Sequence, residues 1–142
     1  MNNSYDIEKL IPQSEPIKMI DSLIDANNVM AITTLFINSN NYFVNTEGIM
    51  AEAGLIEHIA QSASSQAGYL AISNGKDKVP VGYIAEIRDF HCYRCPHAGE
   101  KLETTISVDD TVGNITCISG KTIIGKELIA ETKMRIYINE DS

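Results

Sequence analysis

Glu57 is the one formal charge in the stretch from Ala53 to Gly75, AGLIEHIAQSASSQAGYLAISNG, whose other residues are small, apolar or uncharged. A carboxylate on a largely buried, otherwise uncharged helix is costly unless it is partnered or used, because burial disfavours the ionised form. Glu57 is therefore either hydrogen-bonded scaffolding or an acid/base. At helical spacing Gln61 falls one turn beyond it on the same face, with Ser64 and Gly68 further along, so the acid has a polar neighbour. Gln61 reads as a supporting residue that ties helix to strand. Four residues are candidates for a second acid/base: Glu47 before the helix, His58 beside the acid but about 100° around it, and His91 and His97 after it. The backbone N–H groups of Gly54 and Leu55 stand at the positive end of the helix dipole, where a carbonyl oxygen gaining negative charge would be polarised. Glycine there permits close approach of a substrate. Glu52 complements the same dipole.

The run His91-Cys92-Tyr93-Arg94-Cys95-Pro96-His97 holds a C-x-x-C pair flanked by histidines, a pattern with zinc-ligand character. On a strand Cys92 and Cys95 point to opposite faces, and no second Cys/His pair stands at zinc-finger spacing, so no metal site is expected. No cofactor is expected either.

These residues need a scaffold, and the sequence supplies its punctuation. IKMIDSLIDA and VMAITTLFIN flank Asn27-Asn28 and read as a hairpin. Ahead of them, Ser4 followed by YDIEKLI resembles a capped helical turn ended by Pro12. In the long helix Ile56, Ala60, Ala63, Ala67 and Leu70 form a stripe at alternating spacings of four and three. Eleven of the twenty-one residues from Ala53 to Ser73 are Ala, Gly or Ser, so a sheet can wrap closely around it. Four strands follow: VGYIAEIRDFHCYR, KLETTISVDDTV, NITCISGKTII and KELIAETKMRIYIN, with turns at Gly113-Asn114 and Gly125-Lys126. The expected fold class is α+β, one long central helix wrapped by a curved antiparallel sheet, in a single domain over residues 1–142.

With 142 residues and 44% hydrophobic content the chain can bury a core without disulfides or metal. A net charge of −8 argues against nucleic acid or an anionic membrane as partner, since both are bound mainly by clustered Lys and Arg. The N-terminal MNNSYDIEKL has no signal-peptide pattern, no stretch is uniformly apolar enough to span a bilayer, and three cysteines fit reduced thiols, so a cytoplasmic protein is expected. Arg88, Arg94 and Lys101 fall close in sequence and would form one positive spot on an acidic body.

Three separated segments resemble the 3-hydroxyacyl-acyl-carrier-protein dehydratase family of the hotdog fold. IPQSEPIKMID, from Ile11 to Asp21, is similar to its opening L-P-H-x-x-P-x-x-x-x-D; IMAEAGLIEHIAQ, from Ile49 to Gln61, resembles V-M-P-G-x-x-x-x-E-A-M-A-Q; and FHCYRCPHAGEKLE resembles a strand ending in P-G-D-x-L. The resemblance implies two protomers joined edge to edge around a substrate tunnel, a homodimer with a higher oligomer or a heterodimer as alternatives. It also implies an acyl group carried on an acyl carrier protein, or on coenzyme A, with Arg88, Arg94 and Lys101 as a docking spot. The chain departs from the family at YFVNTEGIM, which lacks the histidine of the usual G-H-F-P loop and is about three residues shorter, and at Gln13, where the family often shows a histidine.

The leading expectation is a dehydratase acting on 3-hydroxyacyl thioesters in fatty-acid or polyene-type synthesis, with Glu57 as central acid/base. A thioesterase using the single carboxylate to activate water needs no histidine and is the second reading. The third is a non-catalytic acyl-binding protein, or the half of a heterodimer whose partner supplies the histidine.

Overall fold

Along the last strand Ala130, Thr132, Met134 and Ile136 are buried while Lys133, Arg135 and Tyr137 are exposed, the period-2 signature of a sheet with one covered face. The computed structural model describes residues 7–12 and 15–139. Strands β1 (Ser22–Ala26) and β2 (Met30–Phe36) precede the helix α1 (Glu52–Ser73), and β3 (Val81–Cys92), β4 (Lys101–Val112), β5 (Ile115–Ile124) and β6 (Glu127–Asn139) follow it. A short 3₁₀ turn, Ile7–Lys9, lies ahead of them; the Ser4 cap predicted for it falls outside the described residues. Among the described residues the five strand pairings are antiparallel, in the order β1-β2-β4-β5-β6-β3, with β1 and β3 at the edges.

The turns form as their residues dictate. Asn27 Oδ1 accepts the backbone N–H groups of Val29 and Met30, which closes the β1–β2 hairpin. Gly113 and Gly125 take φ of +60° and +62° at the two later hairpins, a conformation costly for any residue with a Cβ. At Gly120 the sheet comes so near the helix that a Cβ would lie 2.7 Å from Ile59 Cγ2.

The helix packs differently from its sequence pattern. Of the predicted stripe only Ala63 is fully buried; Ile56, Ala60, Ala67 and Leu70 are half-buried. The sealed face is Leu55, His58, Ile59, Ser62, Ser65 and Gln66, more than half of it polar. Those polar groups are paired: Ser62 Oγ with Thr33 Oγ1 at 2.7 Å, and Gln66 Nε2 donating to the Asn27 carbonyl at 2.8 Å. Apolar clusters lie on either side, one around Ile59, Ile106 and Ile118, the other around Met50, Leu55 and Leu102. Each of these fully buried aliphatic side chains contributes about 1.5–3 kcal/mol.

Candidate active site

Glu57 lies in the second turn of α1 at the wall of a cleft of about 430 Å³, with Ala60 and Ser64 from the same helix, Pro12, the β3 segment from Val81 to Ile84, and Ile136 of β6. Its carboxylate is half-buried. Gln61 Nε2 donates to Glu57 Oε2 at 2.8 Å and to the Ile17 carbonyl at 2.8 Å, while Gln61 Oε1 accepts the Met19 N–H at 2.6 Å. Gln61 is fully buried, so the acid is oriented by a side chain pinned at three points to the segment before β1. Among the described residues Gln61 is the hydrogen-bond partner of Glu57, and Oε1 stays available to a ligand in the cleft. Ile136 is shared with a second, mainly apolar cavity of about 130 Å³ lined by Ala63, Ala67, Leu70 and Ile118. The two spaces follow the half-buried side of the helix.

His58 is placed differently from the expectation of a second acid/base. It is fully buried, Nδ1 lies 2.7 Å from the Met19 carbonyl oxygen and Nε2 2.7 Å from Thr104 Oγ1, which in turn meets Thr122 Oγ1 at 2.7 Å. A carbonyl only accepts, so Nδ1 carries the proton and Thr104 donates to Nε2. Desolvation lowers the His58 pKa to about 4, against smaller opposing contributions from the Met19 hydrogen bond and Asp21. It is a neutral core strut.

The remaining candidates do not line the cleft. Glu47 is exposed on a turn in which Asn45 Oδ1 accepts its backbone N–H. His91 is exposed and stacks on Tyr93 with ring centroids 6.3 Å apart. His97 is exposed and bridges Ile49 through its backbone. Gln13 lies outside the described residues. The Gly54 N–H donates to the Ala51 carbonyl at 2.9 Å, and a Cβ at Gly54 would sit 2.7 Å from Phe43 Cβ, so this glycine admits a neighbouring side chain rather than a substrate. The Leu55 side chain is in the core.

The expected positive spot is dispersed. Arg88 is level with Ser107 of β4, through Lys133 and Ser119, six residues along and three strands across from Lys101. Arg88 pairs with Glu86, and Arg94 forks onto Glu100 at 2.9 Å and also meets Glu127 at 3.0 Å. Lys101 is exposed at the start of β4. The cysteine expectation is corrected as well: Cys92 ends β3, the chain bends at Tyr93 and Arg94, and the sulfurs of Cys92 and Cys95 come to 3.9 Å of each other instead of facing apart.

The β3 wall of the cleft escaped the sequence reading, although the adjacent apolar pair Tyr83-Ile84 was a signal. In a strand covered on one face such a pair puts one side chain outward, and Tyr83 is 55% exposed and Ile84 38%.

A family model for the ApeP dehydratase matches residues 5–142, spanning the Glu57 helix and all six strands. The chain belongs to the ApeP-like dehydratase family. Among solved structures, this ApeP-like chain is similar to the dehydratase heterocomplex ApeI:P from Xenorhabdus doucetiae, with TM-score 0.89 and 13% identity over 96% of this chain and 93% of that one. It is also similar to the PaaI protein of the E. coli phenylacetic acid degradation operon (TM-score 0.62, 13% identity, 81% and 80% covered). A hypothetical thioesterase with coenzyme A from Streptococcus pneumoniae gives TM-score 0.64 at 9% identity, with 82% and 84% covered. At these identities the likeness establishes the hotdog fold. No curated protein matches the sequence.

Proposed function

We propose that this ApeP-like chain is a dehydratase subunit acting on 3-hydroxyacyl thioesters, with Glu57 protonating the departing hydroxyl. The observation that carries the reading is the Glu57 carboxylate at the cleft wall, held through Oε2 by Gln61 with Oε1 available. In the reaction a base takes the α-proton, the electron pair forms the new double bond, and the C–O bond to the β-carbon breaks as the Glu57 carboxyl delivers a proton that leaves with the water. Among the described residues no histidine lines the cleft, so the base comes from elsewhere. The cleft is walled by β3, which among the described residues is an edge strand, with exposed Tyr83, Ile84 and Ile87. A second hotdog chain paired there, either another copy or a different subunit, would close the cleft and bring its own base to the acid. The solved dehydratase heterocomplex ApeI:P is consistent with such an arrangement.

The acyl chain runs from Glu57 past Ile136 into the apolar cavity. Its carrier is an acyl carrier protein or coenzyme A, the pathway is fatty-acid or polyene-type synthesis, and the location is the cytoplasm. Arg88 is held by Glu86 and Arg94 by Glu100 and Glu127, so among the described residues Lys101 is the one of the three outside an ion pair and the docking residue.

The test is incubation of a 3-hydroxyacyl carrier-protein substrate with the chain alone and with a second hotdog subunit, following loss of water by mass. Glu57→Gln should lower the rate by about 10²–10⁴. An unchanged rate in the variant overturns the reading. Release of free thiol without loss of water would instead identify a thioesterase, for which the single cleft carboxylate is sufficient.

A further inference from the structure

Three donor side chains from two separate pieces of chain converge at the start of α1. Glu52 comes from the first turn of the helix, Cys92 from the last position of β3, and Cys95 from the bend that follows; a carboxylate oxygen and the two sulfurs all lie within 4.8 Å of one another. The cysteines are half-buried, and Cys92 packs against the apolar cluster around Met50 and Leu55. The Cys92–Cys95 sulfur separation is 3.9 Å. Two thiolates on one tetrahedral zinc, each about 2.3 Å from the metal, are separated by about 3.8 Å. Arg94 sits between the two cysteines in sequence, yet its guanidinium is committed to Glu100 and Glu127, so it does not offset negative charge at the cluster.

The geometry points to a zinc site formed by Cys92 Sγ, Cys95 Sγ and a Glu52 carboxylate oxygen, with a fourth position open to water. Two thiols lose their protons to solvent as the ion binds, and the resulting pair of thiolates with one carboxylate leaves a zinc complex of net charge −1. Soft thiolates select zinc over magnesium or calcium. A disulfide is the rival use of such a pair, but it has no use for a third donor, and a neighbouring carboxylate opposes the thiolate that would have to attack. The ion would bolt the start of α1, five residues before Glu57, to the end of β3 whose other end walls the cleft. Its role is structural.

The test loads the full chain, purified under reducing conditions, with zinc or cobalt and removes excess metal. Expected are about one ion per chain, a thiolate-to-cobalt charge-transfer band, and a rise in the thermal midpoint that a chelator reverses. Cys92→Ser and Cys95→Ser should each weaken binding about tenfold or more, Glu52→Gln should weaken it while retaining the thiolate band, and Cys117→Ser should leave it unchanged. A chain that stays metal-free after loading overturns the site. So does metal retained equally by both cysteine variants, and so does a Cys92–Cys95 disulfide in protein kept reduced.

Discussion

Gln61 Nε2 and Glu57 Oε2 lie 2.8 Å apart across one turn of α1, and the same amide also joins the Ile17 carbonyl and the Met19 N–H. The carboxylate is thereby positioned by a residue that cannot swing, because its other two bonds anchor it to the backbone ahead of β1. Orientation of this kind is worth more to a proton-transfer group than added attraction, since the donor must meet a leaving oxygen at hydrogen-bond distance.

Gln61→Ala should separate positioning from chemistry. It leaves the buried Met19 N–H and the Ile17 carbonyl without partners, a loss of about 2–4 kcal/mol by urea unfolding. In the fraction that stays folded, kcat should fall more than KM rises, because the acid is still present but loosely held. Equal stability of variant and parent would show that the amide is not the anchor described.

His58 sets an acid limit on the fold. Its pKa is depressed to about 4 in the folded chain and returns to about 6.5 on unfolding, so between these values the unfolded chain binds a proton that the folded one refuses. Stability is full above pH 6.5 and falls as the pH drops toward 4, by about 3 kcal/mol over that window. Glu100, held down at about 2 mainly by its hydrogen bond to Arg94, acts lower, between 4.5 and 2. Unfolding measured between pH 7 and 4 should show the first slope in the parent and lose it in His58→Gln, whatever the variant's absolute stability.

Gly68→Ala should loosen the N-terminal segment. A Cβ there would collide with the Leu10 carbonyl oxygen, a backbone atom, so the clash cannot be relieved by a side-chain rotation. Overpacking of this kind costs about 1–3 kcal/mol. Hydrogen exchange should report it first around Ile7, Leu10 and Ile11, which are buried in the parent.

Ala67→Leu should shorten the acyl chain accepted. Ala67 lines the apolar cavity beyond Ile136, and its added carbons would occupy part of the 130 Å³. Long-chain substrates should lose about 10–200-fold in kcat/KM while the shortest are little changed. A uniform loss at every length would place the acyl group elsewhere.

Much of this architecture was legible in the residues. The six strands, the helix and the hairpin turns followed from alternation in β6, from glycine at positions 113 and 125, and from the paired asparagines at 27 and 28. The helix was misread in rotation because periodicity equates apolar with buried. Here His58, Ser62, Ser65 and Gln66 are buried and held by specific hydrogen bonds, while the stripe of Ala60, Ala67 and Leu70 fronts the cavities, the smaller of which Gln66 also borders. The Cys92–Cys95 approach was missed for a different reason: the bend at Tyr93 ends the strand period on which the opposite-face argument relied. Proximity in sequence also overstated the basic spot, since Arg88 and Lys101 belong to strands with two others between them.

The division of labour on α1 has an evolutionary corollary. Directional bonds on the hidden side fix how the helix is turned about its axis, and none of them involves the alanines that front the open spaces. Those alanines can therefore be exchanged for larger residues without breaking a bond that sets the helix, and the Glu57 carboxylate keeps its aim. Diversification and constraint run along opposite sides of one rod.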